Sequence, residues 1–289
     1  MMLFSANYAT SIGRKAVNQD AVFVHTIGEK NNIGAFMVLC DGMGGFSHGE
    51  YASASVLQAF TGWFYACLPA LQQQSYHTAA LREQWQALIE EQHRSLCLYG
   101  MENGSPMGTT VCAILLYGGA YYAMHVGDSR IYEISAGGAR QLTKDHSWVQ
   151  SAVDQGLLTP EQARVDKRRN RLTQCVGSGN MPVPDFCGGR LREKSVYLCC
   201  CDGFYHELLP EELVRLFMPA EKADDAEKLR RQLESGIQTV LERGEKDNVT
   251  AGAVYAAPKL SFSWAKKLLR ADAKEMPAND DGEEATMML

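Results

Sequence analysis

The sequence predicts an α+β fold in which helices cover sheets of antiparallel strands. Strand-like segments come first, two helical segments follow, more strands come next, and helices precede a final strand. Between residues 110 and 142, short apolar segments are separated by Gly118-Gly119, Gly127-Asp128 and Gly137-Gly138. Such pairs suit tight hairpin turns, so we expect an antiparallel meander here rather than βαβ units.

The individual elements follow from hydrophobic periodicity. Runs of β-branched and aromatic residues predict strands, whereas apolar residues three or four positions apart predict helices. The predicted strands are 3–10, 21–27, 33–40, 110–117, 120–126, 130–134, 139–142, 196–201 and 249–255. The predicted helices are near 52–63, 78–99, 147–156, 159–165, 210–217 and 224–241.

The composition excludes some classes of function. At 289 residues the chain fits one large domain or two small ones, and its 46% hydrophobic content is ordinary for a globular protein. The net charge of −6 provides no positive field for a nucleic acid backbone. An acidic protein that handles a phosphorylated substrate is expected to do so through bound cations.

Cysteine usage and hydropathy predict a compartment. The nine cysteines include no C-x-x-C pair and mostly lie inside apolar runs, so we expect reduced core thiols rather than zinc ligands or disulfides. The first ten residues lack a signal-peptide pattern, and no apolar run approaches the roughly 20 residues of a membrane span. We therefore expect a cytoplasmic protein without a transmembrane segment.

Aspartates recur at the ends of predicted strands. The apolar run 36–40 ends in Asp41, and four glycines follow within eight residues. Similar patterns occur at Asp128, Asp202 and Asp247. One such aspartate is typical of a turn, since its side chain bonds nearby backbone. Four of them are what a binuclear metal site would need, and oxygen ligands favour Mg²⁺ or Mn²⁺ over zinc.

Eight short motifs occur in a fixed order along the chain. They are Asn18-Gln19-Asp20, Asp41-Gly42-Met43-Gly44-Gly45, Gly108-Thr109-Thr110, Gly127-Asp128-Ser129-Arg130, Leu142-Thr143-Lys144-Asp145-His146-Ser147, Leu172-Thr173-Gln174-Cys175-Val176-Gly177, Asp202-Gly203 and Asp247-Asn248-Val249-Thr250. In these motifs the sequence resembles the type 2C metal-dependent serine/threonine protein phosphatases, most closely the bacterial branch, over about residues 5–256. The resemblance implies a four-layer α-β-β-α sandwich of two antiparallel sheets flanked by helix pairs.

The resemblance also implies an activity and a ligand set. The expected reaction is hydrolysis of phosphoserine or phosphothreonine by a hydroxide that bridges two Mg²⁺ or Mn²⁺ ions. Asp41 would bridge both ions, Asp202 and Asp247 would complete the first, and the Gly42 carbonyl and Asp20 would serve the second. Asp128 matches the ligand of a third ion in bacterial members, and an Asx turn is the alternative. The implied catalytic residues are Asp41, Asp202 and Asp247, and the implied metal ligands are Asp20, Asp41, Gly42, Asp128, Asp202 and Asp247.

The sequence departs from the family at two functional positions. Lys15 stands where the family has a phosphate-binding arginine, and Arg14 is adjacent. Either Lys15 binds phosphate as a point charge or Arg14 takes its place, and we favour Arg14; both could also be simply solvated. Met43 stands where eukaryotic members have a histidine, so protonation of the leaving group must come from elsewhere.

A change of composition after Ala257 divides the chain into a catalytic domain, residues 1–257, and a C-terminal part, residues 258–289. The domain includes a flap at about 147–170, whose basic run Lys167-Arg168-Arg169 either guides phosphopeptides or is solvated. The C-terminal part reads as an amphipathic segment and an acidic disordered tail. Expected partners are phosphoproteins that a cognate serine/threonine kinase modifies, and we expect a monomer that binds no nucleic acid. The alternative function is a catalytically inactive relative that binds phosphoproteins as a regulator.

Overall fold

The structure, a computed structural model, describes residues 2–28, 33–43, 48–218 and 226–258. The predicted C-terminal segment and tail, beyond residue 258, and part of the glycine loop, 44–47, lie outside the described residues. The strands are β1 (Met2–Ser11), β2 (Asp20–Ile27), β3 (Gly34–Asp41), β4 (Val111–Tyr117), β5 (Ala120–Val126), β6 (Arg130–Ser135), β7 (Gly138–Gln141), β8 (Asp185–Arg190), β9 (Ser195–Cys200) and β10 (Val249–Pro258). The helices are α1 (Gly49–Gln72), α2 (Leu81–Glu102), α3 (Trp148–Asp154), α4 (Pro160–Val165), α5 (Asp202–Tyr205), α6 (Pro210–Phe217) and α7 (Ala226–Glu242).

The strands form two five-stranded antiparallel sheets. The first sheet has the order β1-β10-β9-β6-β7, and the second has the order β2-β3-β4-β5-β8. Their inner faces pack on each other through apolar side chains such as Met37 and Leu39 of β3. This arrangement confirms the predicted α+β class with two antiparallel sheets.

Helices cover both outer faces. Phe36 points outward from β3, where its ring stacks on Phe64 of α1 at 5.1 Å between centroids and lies 6.0 Å from Trp85 of α2. On the other side, Phe217 of α6 and Leu233 of α7 are fully buried in the cluster that contains the first sheet. The four-layer sandwich that the sequence predicts is therefore present.

Helix α1 is the one helix among the described residues with the length and composition of a membrane span, with 24 residues and a mean hydropathy of 1.2. Core helices of globular proteins pass the same test. Its stripe of Ala52, Val56 and Phe60 is fully buried. The stripe belongs to the cluster that α1 shares with β3 and β4, which accounts for the apolar face of the helix.

The predicted meander of residues 110–142 is wrong in one respect. Strands β4 and β5 form a hairpin in the second sheet, whereas β6 and β7 form a hairpin in the first. The Gly127-Asp128 turn therefore carries the chain from one sheet to the other instead of closing a hairpin. Strand β5 has a different neighbour on its other side, because β8 pairs with it.

Candidate metal centre

Five aspartates lie where strands and helices begin or end at one edge of the sandwich. Asp20 begins β2 and Asp41 ends β3, and the two are directly opposite in the ladder. Asp202 begins α5, Asp247 stands two residues before β10, and Asp128 lies between β5 and β6. The sequence-predicted carboxylates therefore approach from both sheets.

A cavity of about 820 Å³ collects these side chains. Asp41, Asp128, Asp202 and Asp247 all line it. A carboxylate oxygen of Asp20 lies within 4.8 Å of one of Asp41, which places it at the border of the same cluster. Gly42 and Lys15 also line the cavity. We call this space the aspartate cavity.

Hydrogen bonds to the backbone fix the position of Asp41. Its N–H donates to the Thr110 hydroxyl at 3.1 Å, and its carbonyl accepts from the Thr110 N–H at 2.9 Å and from the Thr109 hydroxyl at 3.0 Å. The next residue must be glycine, because a Cβ at Gly42 would lie 2.3 Å from the Gly49 carbonyl oxygen. The two threonines thus hold the Asp41 backbone, while its side chain lines the cavity.

Asn248 joins the segments that carry Asp20 and Asp247. Its side-chain oxygen accepts from the Gln19 N–H at 2.9 Å, and its amide nitrogen donates to the carbonyls of Ile12 at 2.9 Å and Val17 at 3.1 Å. All three bonds span more than 200 residues of sequence. Asn248 is buried and acts as a positioning residue. The sequence alone did not indicate this role.

Burial and mutual repulsion raise the pKa of the clustered carboxyls. Burial, with the charges of Asp202 and Asp247 among others, raises the pKa of Asp41 well above its usual range. Burial and the charge of Asp247 raise the pKa of Asp202 to about 7, and burial is also the main cause that raises the pKa of Asp20 to about 6. This number of acids in one cavity is costly unless cations neutralise them.

The donor set fits a pair of hard divalent cations. The Oδ2 atom of Asp20 is buried, and it has no hydrogen-bond partner in the described part of the chain. The side chains that converge here offer carboxylate oxygens, which Mg²⁺ and Mn²⁺ prefer. Cys201 also approaches Asp20 and Asp41, but a thiol is a soft ligand that these hard cations do not prefer.

Asp128 is supported by an aromatic and cationic stack. Its carbonyl accepts from the Tyr205 hydroxyl at 3.1 Å, and the Arg130 guanidinium lies 3.7 Å from the Tyr205 ring centroid. Arg130 in turn donates to both carboxylate oxygens of Asp145, at 3.0 Å and 2.7 Å. This stack fixes the sheet-crossing turn and leaves the Asp128 side chain in the aspartate cavity.

Of the two adjacent cations, Lys15 is the one that lines the cavity. Its Nζ lies 2.7 Å from an Asp247 carboxylate oxygen. Arg14 is exposed, and its backbone N–H donates to the Lys246 carbonyl at 3.1 Å. The preference for Arg14 that we derived from the sequence therefore lacks geometric support, whereas Lys15 is in place to meet an anion.

Two histidines near the motifs have structural partners. His206 lies 3.9 Å from an Asp202 carboxylate oxygen, and burial together with nearby arginines lowers its pKa to about 3. His146 accepts the Gly127 N–H on Nδ1 at 3.3 Å, so its Nε2 carries the proton and donates to Asp185 at 3.2 Å. Met43 lines the cavity and offers no proton there.

Sequence reasoning assigned no role to one wall of the cavity. This wall comes from the segment 170–181, which begins at the last residue of the flap and contributes the cation Arg171 and the apolar side chains of Leu172 and Met181. Isolated β-bridges join Val176 of this segment to Thr109, and Thr109 to Gly42. The motif Leu172–Gly177 belongs to this segment, but its side chains include no charged group that would indicate a metal ligand or a phosphate contact. The wall consists of Asn170, Arg171, Leu172, Thr173, Gln174, Cys175, Ser178, Gly179, Asn180 and Met181.

Comparison with known proteins agrees with this geometry. Residues 9–238 match the family model described as Protein phosphatase 2C. The serine/threonine protein phosphatase PstP of Mycobacterium tuberculosis is 31% identical over 244 residues, which cover 82% of this chain. The chain spans about two fifths, 41%, of the length of that relative.

Two solved structures extend the comparison to three dimensions. A crystal structure of the serine/threonine phosphatase Stp1 from Staphylococcus aureus superimposes with a TM-score of 0.75 at 29% identity, covering 89% of this chain and 96% of the other. The catalytic domain of PstP in complex with two manganese ions gives 0.70 at 26% identity, covering 89% and 100%. The family match, the fold and the cluster of aspartates agree, and the chain belongs to the protein phosphatase 2C family.

Proposed function

We propose that this protein is a phosphoprotein phosphatase that hydrolyses phosphoserine and phosphothreonine and depends on Mn²⁺ or Mg²⁺. The observation that carries the proposal is the convergence of Asp41, Asp128, Asp202 and Asp247 with Lys15 on one open cavity. An acidic cavity attracts a phosphate dianion only after cations have neutralised it. The manganese-bound PstP structure supports a two-ion centre in a related protein.

In this proposal the residues of the chain bind the metal ions and the substrate phosphate. Asp20, Asp41, Asp202, Asp247 and the Gly42 carbonyl hold two ions, and Asp128 is available to a third. When bound, the ions neutralise phosphate charge and make water more acidic. Lys15 contributes a positive charge beside Asp247 for a phosphate oxygen.

A second candidate is an inactive relative that binds phosphoproteins as a regulator. Such a role does not require a complete set of metal-binding carboxylates, because binding can rest on cations alone. Every carboxylate of the ligand set that the family resemblance implies is present in this sequence. The hydrogen bonds of Thr109, Thr110 and Asn248 hold segments that carry them. These features favour catalysis.

Several broader properties belong to the same proposal. The substrates are phosphoproteins, and a serine/threonine kinase supplies the phosphate that this enzyme removes. All nine cysteines are free thiols, which supports a reducing cytoplasmic location. We further propose a monomer in which residues 1–257 are the catalytic domain, 147–170 are the flap and 258–289 are a separate C-terminal part.

The direct test uses the purified 289-residue protein, p-nitrophenyl phosphate and a phosphoserine peptide. We expect phosphate release with Mn²⁺ or Mg²⁺ and none with EDTA. Binding of the peptide without release under every metal condition would favour the regulator. Equal release with metal and with EDTA would contradict the metal-dependent reaction.

A further inference from the structure

A second cavity, of about 370 Å³, lies next to the aspartate cavity and has no role in the function proposed above. We call it the arginine cavity, because Arg130, Arg164 and Arg169 line it together with a single carboxylate, Asp145. This excess of positive charge occurs in a protein whose net charge is −6. The remainder of the lining is largely apolar, which strengthens electrostatic attraction.

Three chain segments form parts of both cavities. In the turn after β5, Asp128 lines the aspartate cavity, and Arg130, two residues later, lines the arginine cavity. Helix α5 has Asp202 at the first cavity and Tyr205 at the second. At the end of the flap, Arg169 and Asn170 belong to the second and first cavities respectively. The two spaces are therefore neighbours.

The arginines in this cavity are not equivalent. Arg130 is engaged by Asp145 and stacks on Tyr205. Arg164 donates to the His206 carbonyl at 3.2 Å, and Arg169 donates to the Arg164 carbonyl at 3.3 Å. Within the described residues, neither Arg164 nor Arg169 forms an ion pair with a carboxylate. Each retains N–H donors for an anion.

The adjacent Arg168 differs from Arg164 and Arg169, because its guanidinium is already paired with a carboxylate. Its guanidinium pairs with both carboxylate oxygens of Asp166 at 2.9 Å and 2.8 Å, and it lies 3.6 Å from the Trp148 ring centroid. Arg168 is thus used to hold the flap together, and it lines neither cavity. Arg164 and Arg169 are the flap cations that line the arginine cavity and form no ion pair within the described residues.

We propose that the arginine cavity binds a carboxylate side chain of the phosphoprotein substrate, so that the enzyme prefers phosphoserine or phosphothreonine with an acidic residue nearby in sequence. This inference rests on the phosphatase activity proposed above. Arg164 and Arg169 are the specificity-determining residues. Two residues of extended strand span about 6 to 7 Å, and one helical turn rises about 5 Å. In the segments that the two cavities share, their lining residues are one to three positions apart, so we place the acidic residue two to four positions from the phosphorylated residue.

The test measures kcat/KM for peptides with one phosphoserine in a neutral background, using the 289-residue protein with Mn²⁺. A single Glu is placed two, three or four residues to either side, and each peptide has a Gln counterpart and a Lys counterpart. We expect one placement at which Glu exceeds Gln by about tenfold. In Arg164→Glu and in Arg169→Glu this preference should disappear, and the Lys peptide should become the better substrate.

The matched control is Lys167→Glu, which makes the same charge change in the same flap segment. Lys167 is exposed and lines neither cavity, so the Glu preference should persist in this variant. Turnover of p-nitrophenyl phosphate verifies that each variant is folded and active. Equal rates for Glu and Gln at every placement, or the same loss in Lys167→Glu, would overturn the inference. Absence of wild-type p-nitrophenyl phosphate turnover would instead overturn the proposed function.

Discussion

Asp202 shows how one carboxylate serves function at the expense of stability. It is largely buried, and its burial together with the charge of Asp247 raises its pKa to about 7. In the unfolded chain the same group loses its proton near 3.8. Between these two values the folded state holds a proton that the unfolded state releases, so metal-free stability decreases as pH rises from about 4 to 7.

Replacement of Asp202 should therefore separate stability from activity. In Asp202→Asn we expect Mn²⁺-dependent phosphate release to fall by roughly 100-fold or more, because a metal ligand is lost. At pH 8 in EDTA the same variant should melt at least about 3 °C above the wild type, since the buried charge is gone. Activity assays and thermal unfolding measure the two effects.

Asp154→Asn provides the control for Asp202→Asn. Asp154 is an exposed flap residue that pairs with Lys144 at 2.8 Å, and it has no predicted role as a metal ligand. Its replacement should leave Mn²⁺-dependent release within about twofold of wild type, as expected for a surface ion pair. Wild-type activity in Asp202→Asn would contradict the assignment of Asp202 to the metal centre.

Lys15 and Arg14 can be distinguished by their effect on substrate affinity. Both side chains are exposed, but Lys15 lies 2.7 Å from Asp247 and lines the aspartate cavity, whereas Arg14 does not line it. We expect Lys15→Ala to raise KM for a phosphopeptide by about tenfold, because a charge-assisted contact to phosphate is lost. Lys15→Arg should retain binding, since the charge is kept. Arg14→Ala should stay within about twofold, and a larger effect there than in Lys15→Ala would reverse the assignment.

At the scale of elements, Glu212 links α6 to the end of α7. Its carboxylate accepts from the Leu209 N–H at 2.8 Å and from both terminal nitrogens of Arg243, at 2.9 Å and 2.6 Å. The bonds from Arg243 and then that from Leu209 lower the pKa of Glu212 to about 2. The ionised side chain thus caps one helix and ties it to the next.

Glu212→Gln should destabilise the protein in a pH-dependent manner. A lowered pKa in the folded state means that the ionised form contributes stability above pH 4.5, and this contribution is lost as pH falls towards 2. We expect a loss of about 1 kcal/mol at pH 7 and a smaller difference at pH 3, measured by urea unfolding. Glu211→Gln, at the exposed neighbouring position, should change little at either pH. If Glu212→Gln lowered the free energy of unfolding by the same amount at pH 7 and at pH 3, ionisation of Glu212 would be excluded as the cause.

The elements that the sequence predicted are those with strong periodicity. Helix α2 and the buried strands β3 and β4 were expected at nearly their observed positions, whereas α1 extends to Gln72, nine residues beyond the predicted 52–63. Strand β8 was missed, because Gly188 and Gly189 interrupt its pattern and it lies at the exposed edge of a sheet. The change of sheet after β5 was also missed, since a tight Gly-Asp turn is typical of a hairpin.

At the scale of the whole molecule, the cluster of aspartates was predictable and its surroundings were not. Aspartates at the ends of strands carry a chemical signal, and the family resemblance assigned ligand roles to Asp41, Asp202 and Asp247, so these residues could be named as candidates from the sequence. Asn248 and the wall that follows the flap act through contacts between distant segments, which no local pattern encodes. The arginine cavity could not be predicted from a local pattern either, because Arg130 and Arg164 line one cavity only through the tertiary fold.

The central claim is that carboxylates from both sheets converge on two bound cations. The most direct test is a crystal of the protein grown with Mn²⁺ and measured at the manganese absorption edge. We predict two anomalous peaks about 3.5–4 Å apart, bordered by Asp20, Asp41, Asp202 and Asp247. Peaks elsewhere, for example beside His125, His146 and Asp185, with none in the aspartate cavity, would contradict it.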